Sequence, residues 1–122
     1  MRQSATVRDM HEMSIVQALL ERVEAEAAAR SARAVVRVEV ALGALSGVEP
    51  ELLHSAWELA RTPTRCAAAD LVLRSVAARW QCSRCGRALA TGERLRCPEC
   101  GAPARLAAGD EILLERLELE VP

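Results

Sequence analysis

Cys82-Ser83-Arg84-Cys85-Gly86 and Cys97-Pro98-Glu99-Cys100-Gly101 are the same turn written twice, set apart by an eleven-residue loop. The pattern C-x2-C-x11-C-x2-C brings four thiolates to one place, and four thiolates suit a tetrahedral divalent ion, with zinc the usual occupant. A glycine after each second cysteine allows the positive φ that turns backbone N–H groups toward sulfur. A single Cys-x-x-Cys is compatible with thioredoxin-like redox chemistry, but the duplicated pair reads as a metal site formed by Cys82, Cys85, Cys97 and Cys100. Zinc held by four cysteines has no open coordination position, so its expected work is to fold a small subdomain.

The surrounding chain is aliphatic. Of 122 residues 51% are hydrophobic, yet there are two Trp and no Phe or Tyr, so any core must be built from Val, Leu and Ala. All basic residues are arginine and the formal charge is −1. That balance argues against a nucleic-acid binder, which normally carries a basic surplus. Arg84, Arg87, Arg94 and Arg96 gather around the knuckles, where they offset the two net negative charges of a zinc–tetrathiolate centre. The fifth cysteine, Cys66, is left over. No apolar run reaches membrane-span length, and residues 1–9 lack the apolar core of a secretory signal. Free thiols of this kind point to a reducing, cytoplasmic setting.

Outward from the knuckles, periodicity supplies the rest. Ile15, Leu19, Val23 and Ala27, widened by Val16 and Leu20, form the apolar stripe of a first helix. Ser14 with Gln17 fits a capping box at its start, and the helix is expected to end near Ser31. Val36, Val38, Val40 and Leu42 alternate with Arg37, Glu39 and Ala41 as a half-buried strand. Pro50 after Glu49 opens a second helix carrying Leu52, Leu53, Ala56, Leu59 and Ala60, ending before Thr62-Pro63. Leu71–Val76 is a second strand and Glu111–Val121 a third, with a bend or bulge expected near Glu115. The fold class is therefore α+β: a small three-stranded sheet packed by two helices, with a zinc-ribbon-like module inserted before the last strand. The expected parts are a disordered extension over 1–9, an α+β domain over 10–78 and 107–122, and a zinc module over 79–106. Ala77-Ala78-Arg79 and Ala107-Ala108-Gly109 serve as its tethers. No catalytic set, phosphate loop or dinucleotide fingerprint is present, so no enzyme is expected. From the knuckles alone, a zinc-ribbon module that docks protein or nucleic acid stays open, as does a thiol redox switch.

Three segments together carry a resemblance. Met10-His11-Glu12-Met13-Ser14-Ile15-Val16, Leu42-Gly43-Ala44-Leu45-Ser46-Gly47-Val48-Glu49-Pro50 and the two knuckles resemble, in order and spacing, the signatures of the HypA/HybF nickel metallochaperones of [NiFe]-hydrogenase maturation. An acidic residue is usual in that family where Ala44 stands. The resemblance implies a nickel site at Met10-His11-Glu12, with His11 as the indispensable ligand and Glu12 contributing through its amide or carboxylate. It also implies zinc on the four cysteines, and as partners the nickel-handling GTPase HypB and the hydrogenase large-subunit precursor. In some relatives urease maturation is served, and the working form is a monomer or homodimer. Nickel is the transient cargo; imidazole and amide nitrogens on few, mobile ligands let it leave again. The family's proteins begin at the methionine of the motif, with the α-amine beside the histidine. The nine residues ahead of Met10 depart from that pattern, and translation from Met10 is the expectation drawn from it.

Overall fold

The structure is a computed structural model that describes residues 7–90 and 96–122. Residues 1–6 of the expected extension, and Arg94 of the arginine cluster, lie outside them. The elements run in the expected order: α1 (Val7–Ala29), β1 (Ala34–Gly43), α2 (Pro50–Ala60), β2 (Asp70–Val76), β3 (Arg79–Cys82), β4 (Ala88–Leu89), β5 (Ala104–Ala108) and β6 (Ile112–Glu120). They make two three-stranded sheets, ordered β2-β1-β6 and β4-β3-β5. Two compact units result, one of 1–41, 48–74 and 113–122, the other of 42–47 and 75–112.

In the first unit, Val16, Leu20, Val23 and Ala27 are the buried face of α1. α1 packs against α2, whose Leu53, Ala56 and Trp57 are buried, and Val38 and Val40 of β1 are buried in the same unit. Burying each such large side chain is worth about 1.5–3 kcal/mol, which is how a chain without Phe or Tyr holds together. Trp57 is fully enclosed, and its indole N–H donates to the Ala69 carbonyl at 3.1 Å. Cys66 is buried in the loop after α2, and burial pushes its thiol up to about 11, so it is an inert core residue.

The helix boundaries separate two kinds of signal. α2 starts where Pro50 and Glu49 place it, Pro50 supplying a preset φ where no N–H is needed. α1 ends in a Schellman motif: Ser31 takes φ 54°, its N–H bonds to the Ala28 carbonyl, and that of Ala32 to Ala27. The start of α1 corrects the capping box. The helix begins at Val7, so Ser14 and Gln17 lie inside it and both are exposed. Nothing between Val7 and Ser14 is a Pro or Gly, and a helix continues through residues that do not break it.

The bend expected at Glu115 is also displaced. β6 runs unbroken from Ile112 to Glu120. Arg33 N–H bonds the Glu120 carbonyl at one end of the β1–β6 pair and Gly43 N–H the Glu111 carbonyl at the other, leaving one more residue on the β1 side. The irregularity therefore belongs to β1, where Val40, Ala41 and Leu42 are buried in succession instead of alternating. Glu115 remains in the strand because Arg74 of β2 pairs with it at 2.6 and 3.0 Å.

In the second unit part of each presumed tether is strand, Arg79 opening β3 and Ala107-Ala108 closing β5, while Ala77, Ala78 and Gly109 stay outside. Arg79 pairs with Ala108, Trp80 with Leu106, Gln81 with Arg105 and Cys82 with Ala104, with a bulge between Arg79 and Trp80. The loop after β1 knits to the same region, Ala44 N–H bonding the Val76 carbonyl and Leu45 N–H that of Gly109.

Candidate metal centre

The two knuckles share the same pair of closing backbone bonds. Cys82 N–H donates to the Arg87 carbonyl and Cys97 N–H to that of Ala102, both at 2.9 Å. Gly86 N–H closes back on the Cys82 carbonyl at 3.1 Å, and Gly101 N–H on the Cys97 carbonyl at 2.9 Å. Both glycines take positive φ, 76° and 72°, the conformation that makes so tight a return possible without strain. The turns aim backbone dipoles at sulfur: Arg84 and Cys85 N–H at Cys82 Sγ (3.3 and 3.4 Å), and Glu99 N–H at Cys97 Sγ (3.4 Å).

All four sulfurs lie within 4.8 Å of one another, with 3.2 Å between Cys82 and Cys100 and 3.9 Å between Cys85 and Cys97. A zinc ion with 2.3 Å bonds to sulfur needs tetrahedral edges of about 3.8 Å. The donor set and spacing fit zinc. The first cysteine of each knuckle is buried, while Cys85 is exposed and Cys100 half-buried. Leu89 and Ala102 are buried with Cys82 and Cys97 in one cluster, and Trp80 packs against it. Without the ion the sulfurs compete for protons. Cys82 is drawn down to about 6, chiefly by the Cys85 N–H and, against the cost of burial, by that of Arg84. The Ala102 N–H lowers Cys100, but the Cys82 sulfur, burial and the other two sulfurs outweigh it and push the thiol up to about 11. A divalent cation among them would override both tendencies and hold four thiolates.

The other candidates sit in the first unit. His11 is on the second turn of α1 with an exposed side chain, and Glu12 beside it is completely buried. Glu12 Oε2 accepts the Glu49 N–H at 2.8 Å, tying the start of α1 to the residue that caps α2. Its other oxygen, Oε1, is enclosed with no hydrogen-bond partner. The burial was legible: Glu12 stands four residues before Val16 and eight before Leu20, on the apolar stripe. Its partner, 37 residues away, was not. His54 of α2 is exposed, with Nε2 2.9 Å from the Leu71 carbonyl. No helix among the described residues is long and apolar enough to cross a membrane.

Fold and centre together define a small α+β protein that carries a four-cysteine metal site on paired knuckles. Comparison with known proteins makes that class specific. Residues 10–119 match the family model described as "Hydrogenase/urease nickel incorporation, metallochaperone, hypA". The hydrogenase maturation factor HypA of Shewanella halifaxensis is 42% identical over 113 residues, covering 91% of this chain and 98% of that protein. That of Aquifex aeolicus is 38% identical over 114 residues, covering 92% and 99%. The solution structure of the Ni metallochaperone HypA from Helicobacter pylori superposes with a TM-score of 0.73 at 25% identity, over 91% of this chain and 98% of that one. A second HypA solution structure gives 0.78 at 26%, over 93% and 98%. The chain belongs to the HypA family of nickel-incorporation metallochaperones.

Proposed function

We propose that this protein captures Ni(II) at the start of α1 and passes it to the maturation of a [NiFe]-hydrogenase, while zinc on Cys82, Cys85, Cys97 and Cys100 holds the knuckles folded. The observation that carries the reading is the pairing of an exposed His11 with a buried, anchored Glu12 in a chain of this family. Imidazole is a good nitrogen donor for Ni(II), and an exposed one on a helix surface is reachable by an ion and by the protein that receives it. Backbone nitrogens are costlier. In a helix running from Val7, the N–H groups of His11 and Glu12 are spent on carbonyls one turn back. Nickel therefore meets the imidazole first, and takes amide nitrogens only where the first turns open. The Glu12–Glu49 bond limits that opening, so the ligand segment frays without freeing the rest of α1.

A site of so few protein ligands holds its ion moderately and releases it, as a carrier must. The closed tetrathiolate would keep its own. Such a role needs no catalytic group. It implies a cytoplasmic setting and, as partners, the GTPase HypB and the hydrogenase precursor, with urease maturation as a further destination.

Equilibrium Ni(II) titration of the zinc-loaded protein tests the division of labour. His11→Ala is expected to abolish stoichiometric nickel binding and leave zinc content and helicity unchanged. Cys82→Ala is expected to lose zinc and unfold the knuckles, since structural zinc contributes ~10 kcal/mol or more to such units. Unaltered nickel affinity in His11→Ala overturns the assignment.

A further inference from the structure

The two knuckles are alike in their closing bonds and unlike in their cover. Cys82 corresponds to Cys97, Cys85 to Cys100 and Arg87 to Ala102, since Arg87 and Ala102 accept the N–H of the first cysteine in each turn. Ala102 is only 5% exposed and lies in one cluster with Cys97, and Cys100 beside it is half-buried. The matching place in the first knuckle holds an exposed arginine. Every residue from Ser83 to Ala88 is exposed there, Cys85 among them.

The hydrogen bonds are divided in the same way. Cys82 Sγ accepts two backbone N–H groups and Cys97 Sγ one, and the Ala102 N–H is turned to Cys100. Among the described residues Cys85 Sγ is met only by other sulfurs, that of Cys97 at 3.9 Å. With zinc bound all four are thiolates, so protonation no longer distinguishes them. Access and N–H donation do. A thiolate that accepts N–H bonds is stabilised as the anion and is the weaker nucleophile for it. An exposed thiolate without such bonds, beside a second one that can resolve it, is the arrangement most open to oxidation.

We propose that Cys85 is the ligand at which a hydroperoxide opens the zinc centre, with Cys97 as the thiolate that completes the reaction. The proposal rests on zinc occupying the four cysteines. The Cys85 sulfur attacks one peroxide oxygen: an S–O bond forms, the O–O bond breaks, and the departing hydroxide takes up a proton as water. Sulfur gives up two electrons to the peroxide and Cys85 becomes a sulfenic acid. The Cys97 thiolate, from the other knuckle, then attacks that sulfur. An S–S bond forms, the S–O bond breaks, and a second hydroxide leaves. Only Cys82 and Cys100 remain as thiolates, too few for a closed tetrahedral site. A thiol reverses the disulfide by exchange, so the centre is rebuilt when zinc is supplied again. Buried Cys66 takes no part.

The test uses the full-length chain loaded with zinc, its metal content measured first, and substoichiometric hydrogen peroxide. Trypsin cuts after Arg84, so Cys82 and Cys85 are read on separate peptides. Once free thiols are blocked, mass spectrometry is expected to find the peptide Cys85-Gly86-Arg87 joined to Cys97, with fragmentation separating Cys97 from Cys100. Dimedone present during the reaction should trap the sulfenic acid on Cys85 instead. A colorimetric chelator should register zinc in step with the disulfide, and excess thiol with added zinc should return the starting protein. First oxidation at Cys82, Cys97 or Cys100 overturns the proposal. So does a disulfide from Cys85 to a residue other than Cys97, or zinc retained after Cys85 is oxidised. A chain that takes up no zinc on the four cysteines would be a different failure: it removes the zinc reading, and this proposal with it.

Discussion

Replacing Glu12 separates anchoring from nickel ligation. Its carboxylate is completely enclosed, holds the Glu49 N–H at 2.8 Å through Oε2, and leaves Oε1 without a partner. Glu12→Ala removes a hydrogen bond to a charged acceptor, worth about 1.5–3 kcal/mol, and roughly 0.8 kcal/mol for the one buried methylene lost. Relief of the orphaned oxygen returns part of that, so a net loss of about 2–3 kcal/mol is expected. Glu12→Gln keeps an amide oxygen for Glu49 in a side chain of the same size, so it should stay within about 1 kcal/mol of wild type. Urea unfolding of the zinc-loaded protein, followed at 222 nm where α1 and α2 dominate, reads the difference. With m near 2 kcal/mol/M, the Ala variant should lose about 1–1.5 M in midpoint and the Gln variant about 0.5 M at most. A Gln variant as unstable as the Ala variant would refute the hydrogen-bond argument, because then the charge and not the acceptor matters. Nickel titration completes the test. The side chain points into the protein, so Glu12→Gln should bind Ni(II) as the wild type does, whereas loss of nickel at preserved stability would make the carboxylate a ligand.

Two further outcomes follow from local geometry. Gly109 sits at φ +111°, and a Cβ there would fall 2.5 Å from the Ala78 Cα. Gly109→Ala should therefore cost roughly 1–3 kcal/mol for the backbone conformation alone and more for the collision, and an unchanged urea midpoint would contradict that close approach. Two carboxyls are held below their ordinary range. Glu111 is lowered by its own backbone N–H and that of Gly109, and Glu115 by the Arg74 guanidinium. A folded-state pKa below the unfolded one gives stability that is fully present above the ordinary carboxyl value. That stability is lost as pH falls through the folded value. Midpoints measured from about pH 6 down to about pH 3 should therefore fall less steeply in Glu111→Gln and Glu115→Gln than in the wild type. An identical acid limb in both variants would show that neither carboxylate contributes.

What the sequence showed and hid depended on how far apart the deciding residues stand. The knuckles were legible because each is closed by bonds within six residues, from Cys82 to Arg87 and from Cys97 to Ala102. α2 was legible because Pro50 admits few places in a helix other than its first turn. The capping box at Ser14 misled because Ser and Gln at that spacing also occur within helices. Only the absence of a breaker upstream decides, and absence is a weak signal. The sheet β4-β3-β5 was missed because strands of two, four and five residues offer too few alternations to register as a period. The extra residue in β1 was invisible because only the register against β6 reveals it.

Glu12 shows the same limit at the candidate site. Its spacing from Val16 and Leu20 places it on the buried stripe, where an acidic residue contradicts the pattern. Local consistency fails there, and such failures gather at functional sites. The structure supplies half of the compensation, through Glu49. The other oxygen stays orphaned beside the segment to which nickel is assigned. A purely structural anchor would be served as well by glutamine, which offers Glu49 the same acceptor. A Glu12→Gln variant that is as stable as the wild type and binds Ni(II) as tightly therefore leaves Glu12 as an anchor for Glu49 alone, and only nickel lost at preserved stability brings its carboxylate into the site beside His11.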